Sequence, residues 1–169
     1  MGILYHIFSG GFLNLALFMR ESTLIRIAFI NDEKDLKNIF YIIASRYKEK
    51  PLKSKSEFSD IAKQLKEYIN GDRRKFDIKY EITTTPFVTK VLKETEKVPY
   101  GQVKTYKEIA ELIGNPKSYR AVGNALASNP LPIIIPCHRI VRSNGKLGGF
   151  GGRPDLKRKL LSLEGVKDI

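Results

Sequence analysis

Apolar and polar positions follow one rhythm up to about residue 82 and another after it. Residues 3–8, 12–18 and 24–29 are short apolar runs that predict three strands, and Ser9-Gly10-Gly11 supplies a turn between the first two. Leu36, Ile39, Phe40 and Ile43 recur at helical spacing within residues 35–46. Ile61, Leu65, Tyr68 and Ile69 mark a second helix, and Gly71 stands where a helix stop is expected. Residues 76–82 alternate, which predicts a returning strand. Together these make a small α+β domain over residues 1–82. His6 lies inside an apolar run and reads as a packed side chain.

Thr83-Thr84-Thr85 is a polar hinge, and the rest, residues 83–169, is predicted to be mostly helical. Thr85-Pro86 pairs an N-cap with Pro at the first helical position, and Phe87, Val88, Val91 and Leu92 form one face of the helix that follows. Pro99-Tyr100-Gly101 is a turn. Thr105 and Glu108 match a capping box ahead of Ile109, Ala110, Leu112 and Ile113, and Gly114 ends that helix. Asn115-Pro116 restarts a helix that is expected to reach about Ser128. Two short helices joined by a tight glycine-containing turn are the pattern of a helix-turn-helix. On the second helix Val122, Ala125 and Leu126 share the inward face, while Arg120, Gly123, Asn124 and Ala127 share the opposite one. That outward ridge is nearly bare apart from Arg120. A major-groove reader displays several long polar side chains, whereas a bare ridge suits close approach to a narrower groove, or to another helix. Pro154 starts a last helix with Leu156, Leu160 and Leu161 on one side, and Glu164-Gly165 closes it.

Composition narrows the classes. The chain of 169 residues holds one cysteine, so no internal disulfide or multi-cysteine zinc site can form within it. The net charge is +12. There are 15 basic and 11 acidic side chains up to Thr84 and 15 and 7 after it, so the excess rises from +4 to +8. A basic surface draws polyanions, nucleic acid first, although a lysine-rich surface also serves solubility alone. The apolar start is broken by Gly10-Gly11 and has neither a basic leader nor a small-residue cleavage site, so neither a signal peptide nor a membrane span is expected, and a cytoplasmic protein is. Gly148-Gly149-Phe150-Gly151-Gly152 lacks the Lys-Ser/Thr of a phosphate loop and reads as backbone that approaches a ligand closely or moves aside.

The chemistry concentrates in residues 133–141, where Pro136-Cys137-His138-Arg139 sits between β-branched apolar flanks. A thiol is a useful nucleophile as its thiolate, which needs a nearby base, cation or helix end. Imidazole and guanidinium follow the thiol directly, and a bridging water can connect side chains that diverge. The same cysteine reads equally as a buried small hydrophobe. Glu164 stands at a helix C-terminus, where the macrodipole disfavours it, so either a specific partner such as His138 or solvent must hold it.

These residues in this order resemble the 6-O-alkylguanine-DNA alkyltransferase family, the methylated-DNA–protein-cysteine methyltransferases. Pro136-Cys137-His138-Arg139-Ile140-Val141 resembles its active-site motif, with Ile140 a mild departure, and Arg120-Ala121-Val122-Gly123 resembles the start of its DNA-recognition helix. Asn129-Pro130, Val98-Pro99-Tyr100-Gly101 and Leu163-Glu164-Gly165 also match, so the likeness runs over about residues 85–166. The resemblance implies an RNase H-like first domain and a second domain that binds DNA and accepts the alkyl group. It implies repair of O6-alkylguanine, and O4-alkylthymine, by base flipping and single-turnover transfer to Cys137. His138 would act as base through a water, Glu164 would orient it, and Tyr106 would protonate the departing guanine at N3. Arg120 would fill the gap left by the flipped base, and Asn129 would support the site. Gly123, Ala127 and Arg139 are grouped with the DNA- and substrate-contacting residues. Phe150 and Gly151 stand where many members have Tyr and Ser, in the loop of the guanine pocket. Some members hold zinc in the first domain through Cys and His, and this chain has no such cysteines. No cofactor or metal is expected, the partner is double-stranded DNA containing alkylated guanine, and the protein is expected to be a monomer without membrane contact. Two alternatives remain from the residues themselves. One is a Cys–His hydrolase and the other is a lesion-binding protein that does not repair.

Overall fold

The computed structural model describes residues 2–167, and Met1, Asp168 and Ile169 lie outside the described residues. The chain divides into two compact units, Met1–Ile82 and Thr83–Ile169.

The first unit is a sheet with helices. β1 (Leu4–Gly10), β2 (Leu13–Arg20) and β3 (Thr23–Phe29) form an antiparallel meander. Helix α1 (Glu33–Tyr47) follows, with the Asp32 side chain accepting from Asp35 N at its start. It leads to β4 (Leu52–Lys53), a short edge strand parallel to β1, and the sheet order is β3-β2-β1-β4. The helical spacing of Ile39 and Ile43 lays α1 over Ile3, Ala16, Phe18 and Ile25. Phe40 meets Tyr5 and Phe18 edge-on, with centroids 4.5 and 5.5 Å apart. Helix α2 (Ser59–Ile69) buries Ile61, Leu65 and Tyr68.

Residues 76–82 do not form the strand that their alternation predicts. The alternation is real, since Phe76, Ile78, Tyr80 and Ile82 are the less exposed set, but the segment meets the sheet only at a parallel bridge between Leu24 and Tyr80. The reason lies in α2. The amide of Gln64 donates to Asp77 O and accepts from Asp77 N, both at 2.9 Å, so a side chain satisfies backbone groups that a ladder would otherwise use.

The second unit is mostly helical, as its patterning predicts. Thr85 caps α3 (Pro86–Glu96), β5 (Lys104–Thr105) is two residues long, and Thr105 and Glu108 close the capping box of α4 (Tyr106–Leu112). The helix expected from Pro116 starts as a 3₁₀ turn over Pro116–Ser118 and becomes α5 (Tyr119–Ala127) only afterwards. Proline lacks an N–H and presets the first turn, so the tighter turn carries the chain from Asn115 into the helix. Val122, Ala125 and Leu126 are buried, Arg120, Asn124 and Ala127 are exposed, and Gly123 is half-buried. The unit closes with β6 (Ile140–Val141), parallel to β5, and α6 (Pro154–Leu163). Among the described residues no helix is long and apolar enough to cross a membrane.

Candidate active site

The site is built on an unbroken buried run, residues 129–141. Asn129 shapes its entry. The amide donates to Ile135 O at 2.9 Å, and its oxygen accepts from Leu131 N at 3.0 Å, closing a compact loop. Within that loop Ile133 has φ +76°, a left-handed backbone that a β-branched residue adopts only under constraint. The run then turns through a 3₁₀ turn, Cys137–Arg139, that places three consecutive side chains in different directions.

Cys137 is 8% exposed. Burial pushes its thiol up, while a hydrogen bond from the Asn129 side chain and the charge of Lys157 pull the other way. His138 is fully buried, and its Nε2 lies 2.8 Å from Glu164 Oε1. Burial lowers the basicity of the imidazole, and the Glu164 bond opposes that only in part. Arg139 is buried as well, and its guanidinium turns inward. Nε and Nη2 donate to the two Glu164 oxygens at 2.9 Å each, and Nη1 donates to Val98 O at 2.6 Å. Gly101 N completes the set by donating to Glu164 Oε2 at 3.3 Å. Burial alone would raise the Glu164 carboxyl, but its bonds with His138 and Arg139 outweigh that and hold it at about 2. The acid at the end of α6 is therefore a carboxylate clamped by Arg139 and joined to the imidazole.

The parallel pair Lys104↔Ile140 and Thr105↔Val141 brings the start of α4 to the cysteine segment. Tyr106 follows β5 directly and Cys137 precedes β6, so the pairing sets phenol and thiol side by side. Burial raises the phenol, the neighbouring Cys137 adds to that, and a hydrogen bond with the Gly149 backbone opposes it. The glycine-rich loop lies against this ring. A Cβ at Gly148 would stand 2.6 Å from Tyr106 Oη, and Gly148 has φ +76°, so only glycine lets the backbone pass there. Phe150 is half-buried and Gly151 exposed in the same loop. On the other side, a Cβ at Gly123 would stand 3.8 Å from the Tyr106 ring, so the small ridge of α5 faces the phenol. Arg120 is exposed at the start of that ridge.

The sequence reading missed Lys157. Its side chain is fully buried, with Nζ donating to Ile140 O, to Gly149 O at 3.4 Å, and lying 5.7 Å from the centre of the Tyr106 ring. Burial brings the ammonium down to about 8, with Cys137 opposing and Arg142 adding to the fall. The signal was present in the pattern of α6. Position 157 falls on the helix face of Leu160 and Leu161, where an apolar residue belongs. The structure thus gathers Cys137, His138, Glu164, Asn129, Arg139 and Tyr106 around one buried turn, with Arg120 and Ala127 on the exposed side of α5.

Fold and site define a class: a sheet-based α+β unit joined to a helix-turn-helix unit that carries a buried cysteine backed by a histidine–glutamate pair. Residues 3–82 match the family described as 6-O-methylguanine DNA methyltransferase, ribonuclease-like domain, and residues 86–166 match its DNA binding domain. The methylated-DNA–protein-cysteine methyltransferase of Methanosarcina barkeri is 42% identical over 147 residues, 85% of this chain and 93% of that protein. That of Metallosphaera sedula is 48% identical over 118 residues, 69% of this chain and 74% of its own. The crystal structure of Mycobacterium tuberculosis O6-methylguanine methyltransferase is 34% identical, covers 96% of this chain and 92% of its own, and superposes with a TM-score of 0.81. The chain belongs to the methylated-DNA–protein-cysteine methyltransferase family.

Proposed function

We propose that this protein repairs duplex DNA by moving the alkyl group of O6-alkylguanine, or O4-alkylthymine, onto its own Cys137, once per molecule. The observation that carries this reading is the lone thiol on a buried turn with the His138–Glu164 pair behind it. The M. tuberculosis enzyme has also been solved in complex with DNA, at 34% identity and a TM-score of 0.82, which supports DNA as the partner.

Attack by sulfur on the alkyl carbon forms a C–S bond and breaks the bond from carbon to the base O6. The electron pair leaves on the base, where Tyr106 supplies a proton at N3. The thiol is neutral at rest because burial raises it, so its proton must leave as the attack proceeds. Nε2 of His138 is committed to Glu164, so the imidazole takes that proton at Nδ1, through a water. Glu164, kept ionised by Arg139, stabilises the imidazolium that results. The thioether product resists hydrolysis, so the molecule is spent. Arg120 enters the duplex and takes the place of the extruded base, and Gly123 and Ala127 let α5 approach closely.

Two variants test the division of labour. Cys137→Ser should bind duplex containing methylated guanine as wild type does and transfer nothing. Arg120→Ala should react with free benzylguanine, which needs no flipping, at near wild-type rate, and with duplex DNA more slowly, by roughly tenfold for each 1.4 kcal/mol of lost support. Transfer by Cys137→Ser, or equal losses by Arg120→Ala on both substrates, would contradict the assignment.

A further inference from the structure

Only two large hydrophobic side chains are strongly exposed in the second unit among the described residues, Leu112 at 52% and Tyr119 at 45%. Single exposed aromatics are ordinary, but the position of Tyr119 is not. It opens α5, and at i, i+4 and i+8 it shares a ridge with Gly123 and Ala127. Gly123 on that ridge faces the Tyr106 ring, 3.8 Å from where its Cβ would be. Tyr119 therefore stands one turn above the rim of the thiol site. The Arg120 guanidinium lies 5.8 Å from the centre of its ring.

We infer that Tyr119 is a second DNA-opening side chain, a stacking platform for a nucleobase face that flipping uncovers. This rests on the flipping reading of the previous section. Extruding one nucleotide strips its neighbours and its pairing partner of a stacking surface. Arg120 can fill the gap but covers little of a base face. An exposed phenol ring beside it supplies that area. Stacking of this kind accepts any base, because every base has a π-face. The ring, and not the hydroxyl, is the working part.

The test places 2-aminopurine opposite methylated guanine in a duplex and uses the Cys137→Ser background so that the complex persists. With Tyr119 present, bound 2-aminopurine should be quenched by the ring. Tyr119→Ala should leave it brighter at saturating protein and weaken binding roughly five- to hundredfold, the range that base–aromatic stacking carries. Tyr119→Phe should behave as Tyr119. With Cys137 intact, Tyr119→Ala should react with free benzylguanine at the wild-type rate. The inference is overturned if Tyr119→Ala matches its parent on duplex. It is also overturned if Tyr119→Phe is as impaired as Tyr119→Ala, or if free-base reactivity falls in parallel. A wild type that transfers no alkyl group would sink the repair reading, while the fluorescence would still decide the stacking.

Discussion

Glu164 ends a helix whose dipole opposes a carboxylate, and Arg139 reverses the balance with two charge-assisted bonds. The residues alone left the acid to His138 or to solvent, and the family resemblance paired it with the imidazole; the structure sets Glu164 Oε1 2.8 Å from His138 Nε2. The sequence did not show that Arg139 turns inward to Glu164 and Val98 O, because direction at a turn depends on backbone angles that residue order does not encode. Lys157 was legible only in part: its i+3 and i+4 neighbours Leu160 and Leu161 mark an inward face, but a lysine there reads as a solvated side chain until the segment under it is known. Its charge opposes the rise that burial imposes on the thiol. Lys157 carries its charge only below about pH 8, so Lys157→Met should slow the reaction of Cys137 with iodoacetamide below that pH and leave it unchanged well above it. Cys137 is the lone cysteine, so the whole signal reports on it. An equal rate below about pH 8 would confine Lys157 to holding the carbonyls of Ile140 and Gly149.

At the scale of elements, helices were read well wherever caps and periodicity agreed, as for α3 and α4, because both signals are local. The parallel pair β5–β6 was missed. Each strand is two residues long, and its partner lies across the helix-turn-helix, so no local pattern marks it. Yet that pair is what sets Tyr106 beside Cys137. Residues 76–82 show the converse, a clear alternation in which Gln64 takes the backbone of Asp77 and pairing with the sheet is left to one bridge at Leu24. The glycine-rich loop offers a direct comparison. Gly148 and Gly145 have nearly the same backbone, φ +76° and +77°, but a Cβ at Gly145 meets nothing within 4 Å. Replacing either with Ala should cost about 1–2 kcal/mol of stability through the left-handed backbone. Gly148→Ala alone should also slow alkyl transfer, because its Cβ displaces the Tyr106 phenol. Thermal melts and single-turnover rates on the two variants check this, and equal transfer rates would mean that the phenol tolerates the shift.

At the scale of the molecule, the +12 charge is weighted toward the residues that follow Thr84. Binding of Cys137→Ser to duplex DNA should weaken steeply with salt, by roughly 0.9 log unit per tenfold rise for each phosphate contacted. A flat response would mean that the excess charge serves solubility. The chemistry makes the sharper demand, because a thioether formed on a lone cysteine cannot be turned over. The most direct measurement is the intact mass of the wild-type protein after incubation with excess duplex containing methylated guanine. The account predicts a gain of one methylene per molecule, located on Cys137, and no further change. Continued demethylation by unmodified protein, or the methyl group on any other residue, would contradict it.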